Sequence, residues 1–239
     1  MAKHRIVFVG TPKFSVPSLK ALIADTRFDV LAVVTQPDMP AGRSLELCPP
    51  PVKVTAQAYG LPVFQPQKIS LIADELRALA PEALVVVAYS QLIPESILKL
   101  PSKGCVNIHG SLLPKYRGAS VIQAPLMNGD AITGITIMLM DKTLDTGDIL
   151  SQHEYSIAAG ETSESLSNAL SLLGAEVLPN SLARYLDGLI TPQAQDNSLA
   201  NYVGRLEKKD GIIDWTKPAV EIERFVRAMY PWPSAWTWI

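Results

Sequence analysis

Ala83-Leu84-Val85-Val86-Val87-Ala88 is the run that decides the fold. It is apolar throughout and β-branched at its centre, the composition of a strand buried on both faces of a parallel sheet. A strand with one wet face would instead alternate polar and apolar residues. Shorter runs of the same kind lie on either side: Ile6-Val7-Phe8-Val9, ended by Gly10-Thr11-Pro12, then 30–35 and 105–108. Segments with helical spacing stand between them. Residues 16–25 set Leu19, Leu22 and Ile23 on one face, 52–59 read as helical, and 70–79 turn Ile72, Leu76 and Leu79 inward. This alternation predicts βαβ units, hence an α/β fold with an open, mainly parallel twisted sheet and helices on both faces.

Further along, 135–140 reads as another strand. Residues 162–186 carry a helical stripe of Leu166, Leu170, Leu173, Val177, Leu182 and Leu186. Pro179 is expected to kink or divide that helix, since it lacks an N–H and clashes with the preceding turn. The pattern weakens at 189–199, where Pro192, Gln193, Gln195 and Asn197 read as a linker. A second unit begins near Lys208 and includes a helix over 218–229. It closes on Pro231-Trp232-Pro233-Ser234-Ala235-Trp236-Thr237-Trp238-Ile239. An aromatic, strand-like end without a sheet partner suggests that the native chain continues. The domain reading is a catalytic domain over 1–189, a linker over 190–207 and the start of a β-rich C-terminal domain over 208–239.

A net charge of −2 gives no overall basic field, so a polyanion would have to be held by local patches. Cys48 and Cys105 are far apart and lack metal-ligand spacing, which argues against a disulfide framework or a metal site. No apolar run approaches the ~18 residues of a membrane span, and no signal peptide is legible. The expectation is a soluble cytoplasmic monomer that uses no metal and no membrane.

Open parallel sheets bind ligands beyond the carboxyl ends of their strands. Asn107-Ile108-His109 sits at such an end, followed by Gly110-Ser111-Leu112-Leu113-Pro114. Asp145 lies downstream in Leu144-Asp145-Thr146-Gly147-Asp148. An amide can hold a developing oxyanion. An imidazole can shuttle a proton near neutral pH, and a carboxylate can orient it. No Ser or Cys stands in a nucleophile-elbow context. The nucleophile is therefore expected to be a substrate, and the reaction a group transfer.

Each residue also has a plainer reading. Asp148 competes with Asp145 and could simply cap a turn. Asp141 reads as a strand-end residue, and His4 and His153 as surface or strand residues. Arg117 either binds an anion or pairs with an acid. Gly10-Thr11-Pro12 lacks the features of a phosphate loop and reads as a turn. Cys105 reads as buried packing. Lys208-Lys209 is either a solvated patch or a nucleic-acid contact.

The chain resembles the folate-dependent formyltransferase family, and within it the branch that acts on methionyl-tRNA. The resemblance runs through Phe8-Val9-Gly10-Thr11-Pro12, Thr35-Gln36-Pro37-Asp38 with Pro40-Ala41-Gly42-Arg43, and the stretch from Asn107 to Ala119. It continues through 141–148, Asp214-Trp215 and Pro231-Trp232-Pro233, and so covers essentially the whole sequence. It implies the formyltransferase fold, 10-formyltetrahydrofolate as co-substrate and initiator methionyl-tRNA as partner. Residue by residue it implies Asn107 for the oxyanion and His109 for the proton. Asp145 would orient His109 or a relaying water. Ser111, Leu112, Leu113 and Pro114 would line the folate site. The 36–50 loop with Arg43, and Lys208 and Lys209, would meet the tRNA. That loop departs from the family, where it is rich in Gly and Lys. Here Asp38 and Glu46 balance Arg43 and Lys53, which should weaken tRNA binding and its salt dependence. A C-terminal barrel that the family uses on tRNA would begin where this chain stops, leaving Trp232, Trp236 and Trp238 without partners. Two rival readings are the same transfer to another amine (an amino-sugar nucleotide or glycinamide ribonucleotide) and a folate-binding fragment without turnover.

Overall fold

A computed structural model describes residues 3–41 and 46–238. In chain order its strands and helices begin with β1 (His4–Gly10), α1 (Val16–Ala24), β2 (Phe28–Val34), β3 (Met39–Ala41), β4 (Glu46–Cys48) and α2 (Pro51–Ala58). There follow β5 (Val63–Phe64), α3 (Ala73–Leu79), β6 (Ala83–Val87), α4 (Glu95–Leu98), β7 (Cys105–His109), β8 (Arg117–Gly118) and α5 (Gln123–Asn128). The last are β9 (Ile132–Leu139), β10 (Ile149–Ser156), α6 (Ser163–Leu186), β11 (Tyr202–Val203) and α7 (Ala219–Met229).

Among the described residues the main sheet has seven strands in the order β10-β9-β7-β6-β1-β2-β5. The five from β7 to β5 run parallel, and β9 pairs antiparallel with both β7 and β10. The expected open, mainly parallel sheet is therefore present. Both faces are covered, as the unbroken apolar runs require. Ile6, Phe8, Val85 and Val87 pack on one side with Leu19 of α1 and Leu170 and Leu182 of α6. Val7, Val9, Leu84 and Val86 pack on the other with Leu76 of α3 and Ile97 of α4.

Helix α6 opens on a capping box, in which the Thr162 hydroxyl accepts the Ser165 N–H. It buries Leu166, Leu170, Leu178, Leu182 and Leu186, whereas Leu173 and Val177 are half-buried. Gly174 lets the helix approach the sheet closely: a Cβ there would lie 3.3 Å from Ile108 on β7. Pro179 does not divide α6, which runs unbroken from Ser163 to Leu186. Five buried leucines on one face hold the helix against the sheet and offset a proline cost of about 3 kcal/mol.

The 190–207 stretch lies on the sheet domain. Gln193 bridges Ile149 of β10, and β11 pairs in parallel with β8. Beyond it, α7 packs on α5, and the Ser163 hydroxyl donates to the Ala228 carbonyl. Trp236 is not left without contacts. Its indole N–H donates to the Lys208 carbonyl, its ring meets Trp238 edge-on, and its backbone bridges Ile212. Trp232 and Trp238 remain exposed.

Leu178 is fully buried in the cluster that backs β7. Leu178→Ala should lower unfolding stability by about 2–5 kcal/mol, the range for emptying a tight leucine site. Urea denaturation measures this, and a loss within experimental error would contradict the packing of α6.

Candidate functional site

The mixed half of the sheet sets the site. Val106 and Ile108 of β7 point into the core, so Asn107 and His109 fall on the alternate positions of the strand's carboxyl end. Asn107 lies opposite Met138 of β9 and His109 opposite Thr136. Asn107 is half-exposed, and His109 is buried.

The ring of His109 is fixed on one side. Its Nε2 lies 2.9 Å from the Tyr116 carbonyl oxygen. A carbonyl can only accept, so Nε2 carries the hydrogen and Nδ1 is the free ring nitrogen. Nδ1 lies 3.7 Å from Asp145 Oδ1. That is a charge contact, too long for a direct hydrogen bond, and such pairs commonly tighten only around substrate. Asp145, not Asp148, is thus the carboxylate beside His109. Its other oxygen, Oδ2, accepts the Gly118 N–H at 2.8 Å. Asp145 adopts φ +56°, the left-handed region, which a non-glycine residue occupies at a cost.

The loop after β7 is tied internally. Ser111 is buried, and its hydroxyl serves the carbonyls of Lys115 and Tyr116. Thr136 Oγ1 donates to the Ser111 carbonyl and accepts the Leu113 N–H. Gln152 on β10 donates to the Leu113 carbonyl at 2.7 Å. Leu113 is buried, while Leu112 and Pro114 are half-exposed and remain available to a ligand. The Tyr116 phenol donates to Asp130 at 2.6 Å; burial first, and Asp130 as well, push it above its ordinary range. The Asp130 carboxylate also holds the Lys115 ammonium up.

Arg117 is 2% exposed, and among the described residues it pairs with no acid. Its guanidinium donates to three neutral acceptors, Gln195 Oε1, Asn197 Oδ1 and the Tyr202 hydroxyl. Asp141 accepts from Thr143 and Thr146 and so braces the loop that carries Asp145. His4 sits between Glu82 and Asp187, and His153 lies beside the Ser151 hydroxyl. Cys105 is buried, which pushes its thiol up to about 12; it is a packing residue. Among the described residues no group of three or more His, Cys, Asp or Glu is placed to hold a metal ion. Among those residues no helix is long and apolar enough to cross a membrane.

Arg43 falls outside the described residues. Lys53 and Asp38 pair at 2.7 Å, and Gln65 and Lys53 together draw the Asp38 carboxyl below its usual range. Lys208 donates to the Pro233 carbonyl, and Lys209 pairs with Glu207. Sequence reasoning missed the carbonyl of Tyr116, the amide of Gly118 and the side chain of Gln195. Only Gly118 carried a signal, as a glycine within a polar loop.

A cavity of about 350 Å³ is lined by Lys13, Phe14, Gln123, Ser167, Asn168 and Trp232 among others. It begins at the turn after β1. Ile122, also in its wall, lies 3.5 Å from where a Cβ on Gly110 would stand. Ile122 is thus shared between the cavity wall and the surroundings of Gly110.

An imidazole facing a carboxylate, with an amide two residues earlier on the same strand, suits group transfer to a substrate nucleophile. The formyl transferase family matches residues 4–182, and the formyl transferase C-terminal domain matches residues 205–239; the chain belongs to this family. The methionyl-tRNA formyltransferase of Geobacter metallireducens is 48% identical over 239 residues, covering 99% of this chain and 76% of that protein. That of Myxococcus xanthus is likewise 48% identical, with the same coverage. A 4-N formyltransferase from Francisella tularensis superposes with a TM-score of 0.77 at 20% identity, covering 98% of this chain and 92% of that one. An N-formyltransferase from Helicobacter canadensis, in complex with folinic acid and dTDP-3-aminofucose, gives 0.75 at 19% identity, covering 94% and 80%. At these identities the structural likeness is one of fold.

Gly147 is confined: a Cβ there would stand 1.9 Å from the Leu139 carbonyl oxygen. Gly147→Ala should push the 141–148 loop off β9 and carry Asp145 away from Gly118. A crystal structure of the variant checks this, and an unmoved Asp145 would contradict it.

Proposed function

We propose that this chain transfers the formyl group of 10-formyltetrahydrofolate to the α-amine of methionine on initiator methionyl-tRNA. The observation that carries the reading is near-complete coverage at 48% identity to methionyl-tRNA formyltransferases. The contact of His109 with Asp145, and the place of Asn107 two residues before His109 on the same strand, support the chemistry.

The neutral amine attacks the formyl carbon, and charge develops on the formyl oxygen. Asn107, half-exposed at the strand end, donates its amide N–H to that oxygen. The amine proton passes to Nδ1 of His109, where the Asp145 carboxylate faces the resulting charge. The bond from the formyl carbon to the folate nitrogen then breaks, and that nitrogen takes up the proton. The products are formyl-methionyl-tRNA and tetrahydrofolate. Leu112 and Pro114 offer the half-exposed apolar contacts for the folate, with Ser111 and Leu113 shaping the loop beneath them. The cavity lined by Phe14, Asn168 and Trp232 receives the aminoacyl end. The tRNA is further met by the 36–50 loop with Arg43 and by the surface near Lys208 and Lys209. The reaction belongs in the cytoplasm, where charged initiator tRNA is found, and a monomer suffices for it.

Asn107→Ala should reduce kcat about 10²–10³-fold, the loss for one oxyanion donor. The KM for the folate should change little, because the charge exists only in the transition state. Steady-state kinetics decides this, and a retained kcat would assign Asn107 a structural role. Trp232→Ala should raise the KM for methionyl-tRNA by about 5- to 100-fold, the range for one base stacked on an aromatic ring, with kcat less affected. An unchanged KM would move the acceptor end out of this cavity.

A further inference from the structure

Asp145 is fixed at two points, and both lead to the segment 195–203. Its carboxylate is held by the Gly118 N–H. Its backbone is held by Gln195, whose Nε2 donates to the carbonyls of Asp145 at 2.9 Å and Gly147 at 2.7 Å. On its other side the Gln195 Oε1 accepts from Arg117 Nε at 3.2 Å and Nη2 at 2.7 Å. The amide can face only one way: reversed, it would set NH₂ against a guanidinium and oxygen against two carbonyls. Arg117 has no ion-pair partner among the described residues, so its buried charge depends on these neutral oxygens.

The same segment holds Gly118. Arg117 N–H donates to the Asn201 carbonyl at 2.8 Å, and Ala119 N–H to the Val203 carbonyl at 3.0 Å. The contact is so close that a Cβ on Gly118 would lie 2.2 Å from the Val203 oxygen, and Gly118 has φ +112°. Asn201 Oδ1 also accepts the Tyr116 N–H, and the Tyr116 carbonyl holds His109. One strap of chain thus reaches both members of the His109–Asp145 pair without touching the reacting atoms.

We propose that Gln195 is a positioning residue for formyl transfer, which clamps the left-handed backbone of Asp145 and is itself aimed by Arg117. This rests on the function proposed above. The clamp keeps the carboxylate facing His109 Nδ1. Without its two N–H donors the 145–147 carbonyls are free, Asp145 leaves the left-handed region, and the imidazole loses its facing charge.

Gln195→Glu separates the clamp from simple packing. The carboxylate still accepts from Arg117 but offers no N–H to the Asp145 and Gly147 carbonyls. The expected result is a kcat lower by about 10- to 100-fold, the scale of two lost donors. The KM for both substrates should stay within about threefold and the melting temperature near that of the parent. In an Asp145→Ala background, Gln195→Glu should change the remaining rate by less than about twofold, since it acts only through that carboxylate. Exchange of the Gly118 amide hydrogen should quicken about tenfold in Gln195→Glu. If Gln195→Glu does not fold, Gln195→Met carries the same measurements. A parental kcat, an undiminished effect in the Asp145→Ala background, or unaltered Gly118 exchange overturns the proposal. If the parent itself transfers no formyl group to methionyl-tRNA, the functional reading fails, and Gly118 exchange alone still decides the clamp.

Discussion

Strand β7 is hydrogen-bonded along both edges, in parallel to β6 and antiparallel to β9. Its Val106 and Ile108 are buried beneath α6. A strand held on two edges and one face cannot shift register by one residue without exchanging its core and site residues. That constraint puts Asn107 and His109 at the carboxyl edge together. Everything else at the site is built by bringing loops to this fixed point: 111–118 by way of Thr136 and Tyr116, and 141–148 by way of Gly118 and Gln195.

The reversal from parallel to antiparallel at β9 has a consequence for chemistry. β9 ends opposite Val106, near the start of β7, so the 141–148 loop leaves the sheet there and carries Asp145 back to the ring of His109. Asp145 therefore approaches His109 from a neighbouring loop, not from a parallel strand end. Its Oδ1 lies 3.7 Å from the ring, a charge contact and not a direct hydrogen bond.

The strands β1, β2, β6 and β7 were legible because burial on two faces demands unbroken apolar runs, and Ala83 to Val87 shows this most plainly. Strand β10 was not. It is an edge strand whose residues mostly alternate between half-buried and exposed, so its sequence, Ile149-Leu150-Ser151-Gln152-His153-Glu154-Tyr155-Ser156, carries no such run. Asn107, His109 and Asp145 could be nominated from residue type and motif. The parts that fix them could not. Gln195 sits among residues of turn-like composition, and its partners lie 48 and 50 positions away in sequence. The Tyr116 and Gly118 contributions are backbone groups, which residue identity does not reveal. Arg117 was read as an anion binder or an ion-pair partner from its charge alone, which does not reveal its burial. The structure instead surrounds it with amide and phenol oxygens. Helix α6 shows the opposite case, in which a strong local signal at Pro179 is overridden by packing.

The relatives of known name act on methionyl-tRNA, whereas the solved structures of like fold include one bound to an amino-sugar nucleotide. The substrate amine is therefore the sharpest point of the account. The direct measurement is single-turnover formyl transfer by this chain from 10-formyltetrahydrofolate to three acceptors in parallel: initiator methionyl-tRNA, a dTDP-amino sugar and glycinamide ribonucleotide. The account predicts formyl-methionyl-tRNA as the dominant product, lost in the His109→Ala variant. Transfer to the amino sugar or the ribonucleotide in preference to methionyl-tRNA, or transfer undiminished by His109→Ala, would contradict it.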